Sequence, residues 1–325
     1  MNKRYFTAVL LFVLSALVCF AGAIVYYQNQ ESAQVRGHYA LAQLRAQIPL
    51  MVHISITTPQ NETVSLYRQG DYWHFREAAD YYVNNDTLAA FYEFVNNSTI
   101  LDVVPATDEQ ISRLKLGTQI IITDDAKQVL AHFWLSQKAN IDGTKANIDG
   151  TIDMLPQNSQ YIYRVSRAKT FFGAVAAWIP MPLLQLDDTR ITGIDFNDEY
   201  INGEVLAEVK QEFDFMRKLS DVLAFTLYDG IVQKQNFETA YPEIKPQTLK
   251  VHIVGGLIYR LQIYKADNSY WLAVDVSTER IARKEAVLAA QSLQRFYADW
   301  LFELNTEQGP ILYQAGQKQT SQSTN

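Results

Sequence analysis

TLKVHIVGGLIYRLQIYKADNSYWLAVDV, residues 248 to 276, holds three apolar stripes separated by two turn signals. Leu249, Val251 and Ile253 alternate along the first stripe, Leu257, Tyr259, Leu261 and Ile263 along the second, and Tyr270, Leu272, Val274 and Val276 along the third. Side chains of a strand alternate between faces, so each run reads as a half-buried β-strand. A two-residue turn at Gly255-Gly256 would set Val251 opposite Arg260 and send the first two apolar faces opposite ways. A three-residue loop, Gly255 to Leu257, instead pairs Ile253 with Tyr259 and Val251 with Leu261. A four-residue loop, Lys265 to Asn268, then pairs Ile263 with Tyr270 and Leu261 with Leu272. The three strands share one apolar face, and helices are the expected cover.

Outward from this stretch, residues 279–304 carry Ile281, Val287, Leu288, Leu293, Phe296 and Leu301 at near-helical spacing, and residues 203–219 form a second periodic run. The preceding half repeats the order. It reads as a helix at 84–97, a strand at 100–104, a hairpin of 118–123 with 128–134, a third strand at 161–165 and a helix at 168–178 ended by Pro180 and Pro182. A strand at 190–196 opens the second half. The expected fold is α+β, with two related halves, 51–182 and 183–304, each an antiparallel sheet packed by helices.

Residues 138–151 read KANIDGTKANIDGT, one word written twice, inside the long connection 136–160 of the first half. Doubling a loop's length adds only about 0.6 kcal/mol of closure entropy, so a duplicated surface loop is the simplest reading. A calcium site using Asp142, Asp149 and Asp153 is the alternative, but the repeat offers too few alternating oxygen ligands.

The chain has 325 residues, 48% hydrophobic and 19% charged, enough for two domains. Its net charge is -7, and Lys3 and Arg4 precede a long apolar run, so the remainder is more acidic still. Such a body has no electrostatic footprint for nucleic acid and no basic stripe for anionic lipid. The lone cysteine, Cys19, excludes an intrachain disulfide and reads as a lipid-facing apolar residue.

Residues Tyr5 to Tyr27 are uncharged and mostly apolar, and as a helix they would span about 34 Å, enough for a bilayer. Lys3 and Arg4 lie before the run and the next basic residue, Arg36, well after it, so the N-terminus stays cytoplasmic and the body is exported. A cleaved signal peptide finds some support in Ala21-Gly22-Ala23, and a lipoprotein site at Cys19 is poorly served by Val18. An uncleaved anchor fits the full-length apolar run best. The expected layout is a tip and anchor at 1–27, a stalk at 28–50 with Leu41 and Leu44 at helical spacing, the two halves, and a flexible tail at 305–325.

For chemistry the sequence offers little. It has no P-loop, no G-x-G-x-x-G, no G-x-S-x-G and no HExxH pair. His38, His53, His74, His132 and His252 stand apart, with His252 on the strand face opposite the apolar stripe. Asp124-Asp125 falls in a hairpin turn, and neighbouring acids such as Asp187-Asp188 diverge on a strand, so neither is a ready-made dyad. Of the tryptophans, Trp178 and Trp300 are expected on helices facing a sheet, whereas Trp73, in Tyr72-Trp73-His74-Phe75, is less easily placed. Trp73 and His74 are the candidate interaction surface. No catalytic residue, metal ligand or cofactor is expected.

Thr63-Val64-Ser65-Leu66, Asp71-Tyr72-Trp73, Asn84-Asn85-Asp86-Thr87-Leu88, Gly117, Tyr161-Ile162-Tyr163 and Leu183-Leu184-Gln185-Leu186 followed by Ile191 together resemble a family. It is the bacterial domain-of-unknown-function family four-three-four-zero, and the resemblance covers most of residues 50 to 304. It implies a membrane-anchored, repeat-built protein of the kind associated with auxiliary subunits of gliding-type ABC transporters, and brings no catalytic residues. The chain departs from that pattern in its duplicated loop and in a second half without the Trp-containing hairpin. The expected function is an inner-membrane, single-pass accessory or scaffold protein, not an enzyme, that binds an envelope or transporter protein. The alternative is a periplasmic glycan- or peptide-binding protein or hydrolase with a groove between the halves.

Overall fold

The computed structural model describes residues 35–136, 151–166, 175–196, 199–205 and 214–317. The anchor run, most of the KANIDGT duplication, residues 168–174 of the expected helix at 168–178, and residues 206–213 of the expected helix at 203–219 lie outside them. The chain forms two compact units, Met1–Asp71 with Asn85–Trp178, and Tyr72–Asn84 with Ile179–Asn325. The units divide after Trp178, where a boundary at 182 was expected, and residues 72–84 belong to the second unit.

The first unit begins with α1 (Ala42–Ala46), β1 (His53–Thr57) and β2 (Thr63–Gln69). Next in sequence, β3 (Tyr72–Phe75) and β4 (Tyr81–Tyr82) belong to the second unit. The first resumes with α2 (Asn85–Asn97), β5 (Ile100–Pro105), α3 (Asp108–Lys115), β6 (Thr118–Thr123), β7 (Val129–Leu135), β8 (Thr151–Pro156) and β9 (Tyr161–Ser166). Its strands lie in the order β2-β1-β6-β7-β8-β9-β5, with the neighbouring pairs antiparallel. On one face α2 buries Leu88, Phe91, Phe94 and Val95, and Phe94 stacks on Phe133 of β7 at 6.4 Å. On the other, α3 is fixed by a capping box of Thr107 and Gln110 and packs Leu114 against Leu155 and Ile162.

Two expectations change here. Residues 136–160 are not one loop, because β8 lies within them. Its residues Thr151 to Leu155 are all buried, so a strand covered on both faces loses the alternation that would reveal it. Nor do residues 35–50 form a stalk. Gly37 N donates to Ile100 O at 2.7 Å, Ile100 N to His38 O at 2.9 Å, and Ala40 N to Ser98 O at 2.8 Å, while Leu44 is buried on α1. This segment lines the outer edge of β5. There Asp102 Oδ1 accepts from Val103 N and pairs with Arg36, and Pro105 has no N–H to offer, so the edge is blunted.

The second unit continues with β10 (Ile191–Phe196), β11 (Glu199–Asn202), α4 (Asp214–Ala224), β12 (Tyr228–Gln233), α5 (Lys234–Ala240), β13 (Gln247–Ile253), β14 (Leu257–Ala266), β15 (Ser269–Thr278), α6 (Lys284–Tyr297), β16 (Trp300–Leu304) and α7 (Gln308–Gln317). Its seven-stranded sheet runs β11-β10-β13-β14-β15-β16-β12. In both units an opening hairpin joins one side of a four-strand meander, and a strand carried between two helices closes the other side. The two sheets share one strand order.

The three opening stripes do form β13, β14 and β15 with Leu249, Val251, Leu261, Ile263, Leu272 and Val274 buried on one face. The register differs from the expected one by two residues at each turn. Ile253 faces Leu257 across a loop of Val254-Gly255-Gly256, and Ala266 faces Ser269 across Asp267-Asn268. A shift of two keeps every side chain on its face, so the apolar pattern cannot detect it.

The cover also differs. The helix expected at 279–304 ends at Tyr297, and Trp300 lies on a strand. β16 pairs with β15 only at Tyr270 to Leu272, and α6 lies alongside β15 beyond that point. Gln294 there substitutes for a strand, its Oε1 accepting from Val276 N at 2.6 Å and its Nε2 donating to Asp275 Oδ1 at 3.3 Å. The face is packed by α7, which contacts β13, β14, β15 and α4. The segment expected to be a flexible tail is thus a core helix as far as Gln317. α5 covers the opposite face at one end, where Phe237 meets Tyr264, Ala266, Ala273 and Leu301.

Candidate functional site

The residues singled out by sequence lie on β3. Period-two alternation buries Trp73 and Phe75 and turns Tyr72 and His74 the other way. Trp73 is 7% exposed, so it is a core residue and not the interaction surface expected of it. His74 is half-buried, with Nδ1 2.9 Å from Asp80 O and its ring 4.9 Å from that of Tyr82. The chain returns to β4 through Ala79 and Asp80, both in the left-handed region.

This hairpin completes an aromatic cluster. Tyr81 meets Trp300 at 5.2 Å and Phe302 at 5.3 Å, Tyr82 meets Phe296 at 4.6 Å, and Phe302 meets Tyr228 at 5.2 Å, all edge-on. The polar ends find carbonyl acceptors. Trp300 Nε1 donates to Ala79 O at 3.2 Å, the Tyr228 hydroxyl to Pro180 O at 2.5 Å and the Tyr297 hydroxyl to Leu183 O at 2.9 Å. Burial pushes the phenols of Tyr81, Tyr228 and Tyr297 above the ordinary tyrosine range. Tyr228 and Tyr297 thus stay neutral donors.

A cleft of about 520 Å³ in the second unit is lined by Gln185, Asp187, Asp188, Arg190 and Ala224. The acidic pair sits on a helical turn, Asp188–Arg190, and not on a strand. Asp187 caps that turn, its Oδ1 accepting from Thr189 N at 2.8 Å and from the Thr189 hydroxyl at 2.9 Å. Asp188 accepts from the Ser220 hydroxyl. Asp187 thus fixes the turn, and Asp188 holds it against α4. In the first unit Asp124 has the expected turn role, its Oδ1 accepting from Gln128 N at 2.8 Å.

A polar cluster that sequence reading missed surrounds His252. β10 lies beside β13, so Asp195 pairs across the sheet with Lys250. His252 Nδ1 lies 3.2 Å from Glu279 Oε1, and Nε2 lies 3.3 Å from Asp195 Oδ2 without hydrogen-bond geometry. Lys250 Nζ is 3.5 Å from the same Asp195 oxygen, and the Tyr200 ring meets the imidazole edge-on at 5.4 Å. The face of His252 and the strand at 190–196 were legible; the pairing that sets Asp195 beside His252 was not. Among the described residues no group of three His, Cys, Asp or Glu is placed to hold a metal ion, and no helix is long and apolar enough to cross a membrane. No family model, curated protein or solved structure matches the chain.

Proposed function

We propose that this chain is a membrane-anchored accessory or scaffold protein whose body is exported across a bacterial inner membrane and binds another envelope protein. A transporter complex of the kind its family resemblance implies is the leading candidate. One observation carries the reading. The side chains with the most chemical potential are spent on holding the fold: Asp187 and Asp188 on a turn, His252 between two carboxylates, and the buried tyrosines on backbone carbonyls. The apolar run from Tyr5 to Tyr27 behind Lys3 and Arg4 supports the anchored topology. The shared strand order supports descent of the two units from one duplicated module. The glycan-groove alternative is weakened by Trp73, whose buried ring offers no stacking face.

Two measurements test the proposal. Protease added to spheroplasts should digest the body and leave a short anchored fragment; a body protected until the inner membrane is breached would refute export. Photocrosslinkers placed in living cells at the exposed Leu101 and Leu116 should yield a discrete adduct with one envelope protein. Monomer at every exposed apolar position would refute the binding role.

A further inference from the structure

At one end of the second unit's sheet, the turn after β13 and the loop before α6 form a single tip. Gly255 and Gly256 hold φ of +97 and +87, a region open mainly to glycine. Glu279 N donates to Gly256 O at 2.8 Å, and Arg283 N to Gly255 O at 3.1 Å. A β-carbon on Gly256 would stand 3.0 Å from that of Ala282, so the two loops lie in van der Waals contact. The tip presents apolar side chains to solvent: Ile281 is 83% exposed, Leu288 58% and Val254 50%, with Val287 beside Leu288 on the first turns of α6. Arg280, Arg283 and Lys284 are exposed within the same loop and helix start, and none is engaged in an ion pair among the described residues. Of the carboxylates flanking these cations in sequence, Glu279 is held by His252 and Glu285 is exposed.

We infer that this tip is a membrane-docking surface, in which Ile281, Leu288 and Val254 enter the headgroup boundary of an anionic bilayer while Arg280, Arg283 and Lys284 meet lipid phosphates. Charge complementarity selects this occupant. Large apolar side chains rimmed by unpaired cations, on a body that is otherwise acidic, fit an anionic interface, and a protein groove lined by apolar groups would leave the three cations unanswered. The net charge of -7 concealed this patch, because the cations are local and the acids are dispersed. Docking requires no anchor; an anchor in the same membrane would raise the local concentration of lipid around the tip.

The test uses the full chain with Cys19→Ser and with Ile281→Cys carrying an environment-sensitive fluorophore. It is reconstituted with vesicles of phosphatidylcholine alone or mixed with phosphatidylglycerol. A lipid-borne quencher should reach the label in the mixed vesicles and not in the neutral ones. Arg280→Gln, Arg283→Gln and Lys284→Gln together should lower the docked-to-free ratio about a hundredfold, since each cation near an anionic surface contributes roughly fivefold. Unchanged circular dichroism and melting would show that the variant is folded. Flotation with both vesicle types but a label that stays in water refutes docking and leaves the anchor intact. Flotation only with phosphatidylglycerol, abolished by the triple variant, supports docking and refutes the anchor. Protection that grows with protein concentration in detergent marks a second copy as the occupant, and protection only on adding membrane proteins marks a protein; either overturns the inference.

Discussion

Leu312 tests whether the chain after residue 304 belongs to the second unit. It is 0% exposed on α7, which packs on three strands and on α4. Leu312→Ala would leave a cavity among groups that cannot fully collapse, and such changes cost about 2–5 kcal/mol. Against a domain stability on the order of 5–15 kcal/mol, that is a large fraction. For a unit of this size a loss of about 3 kcal/mol lowers Tm by about 6–12 °C. Gly309→Ala perturbs the same contact in the opposite sense, because an added β-carbon would stand 2.7 Å from that of Tyr270. Overpacking of this kind costs about 1–3 kcal/mol. Gln314, exposed on the same helix, provides a neutral control as Gln314→Ala. Thermal melts of the full chain in mild detergent, followed by near-ultraviolet circular dichroism, should rank the variants Leu312→Ala lowest, then Gly309→Ala, then Gln314→Ala level with the parent. A detached tail would tolerate all three equally, and coincident melting curves would refute the assignment of α7 to the core.

Three further outcomes follow from the packing. Tyr81, Tyr228 and Tyr297 resist ionisation when folded, so their contribution is complete below the ordinary tyrosine pKa and is lost as pH rises beyond it. The unfolding free energy from urea titrations should fall above about pH 10 by about 1.4 kcal/mol per pH unit for each such tyrosine, and Tyr228→Phe should remove one share of that slope. Arg164 Nε lies 3.2 Å from Oδ1 of the buried Asp153, so Arg164→Met should cost about 3–5 kcal/mol in denaturant titration, and adding Asp153→Leu should recover much of it. Deleting residues 138–144, one copy of the repeated word, should shift stability by less than about 1 kcal/mol, with the joined ends still meeting where Ser136 N donates to Asp153 O.

What could be read from the sequence was whatever lay within one strand or one helix. The faces of β13, β14 and β15, the span of α2 and the hairpin of β6 with β7 all follow from local periodicity. Register was lost, because a slip of two residues leaves the faces unchanged. Doubly covered segments were lost as well: β8 has no alternation, and β16 continues an apolar rhythm that began as a helix. Trp73 illustrates the third limit. Its hairpin meets residues more than two hundred positions away, Tyr82 against Trp300 and Ala79 O accepting from Trp300 Nε1, and nothing local separates a core tryptophan on a short hairpin from an exposed one. Asp195 beside His252 was hidden for the same reason.

The two units differ at the ends of their meanders. The first inserts the duplicated word between β7 and β8 and joins β8 to β9 tightly; the second joins β14 to β15 tightly and inserts α6 between β15 and β16. Sheet faces tolerate little change, since each buried side chain touches several others, whereas a hairpin end can lengthen at small entropic cost. Duplication followed by divergence would therefore place new properties on the insertions. The proposed docking tip agrees with this. It is built where the loop leading into α6 meets the turn after β13, and the corresponding connection in the first unit, from β8 to β9, is too short to form a second wall.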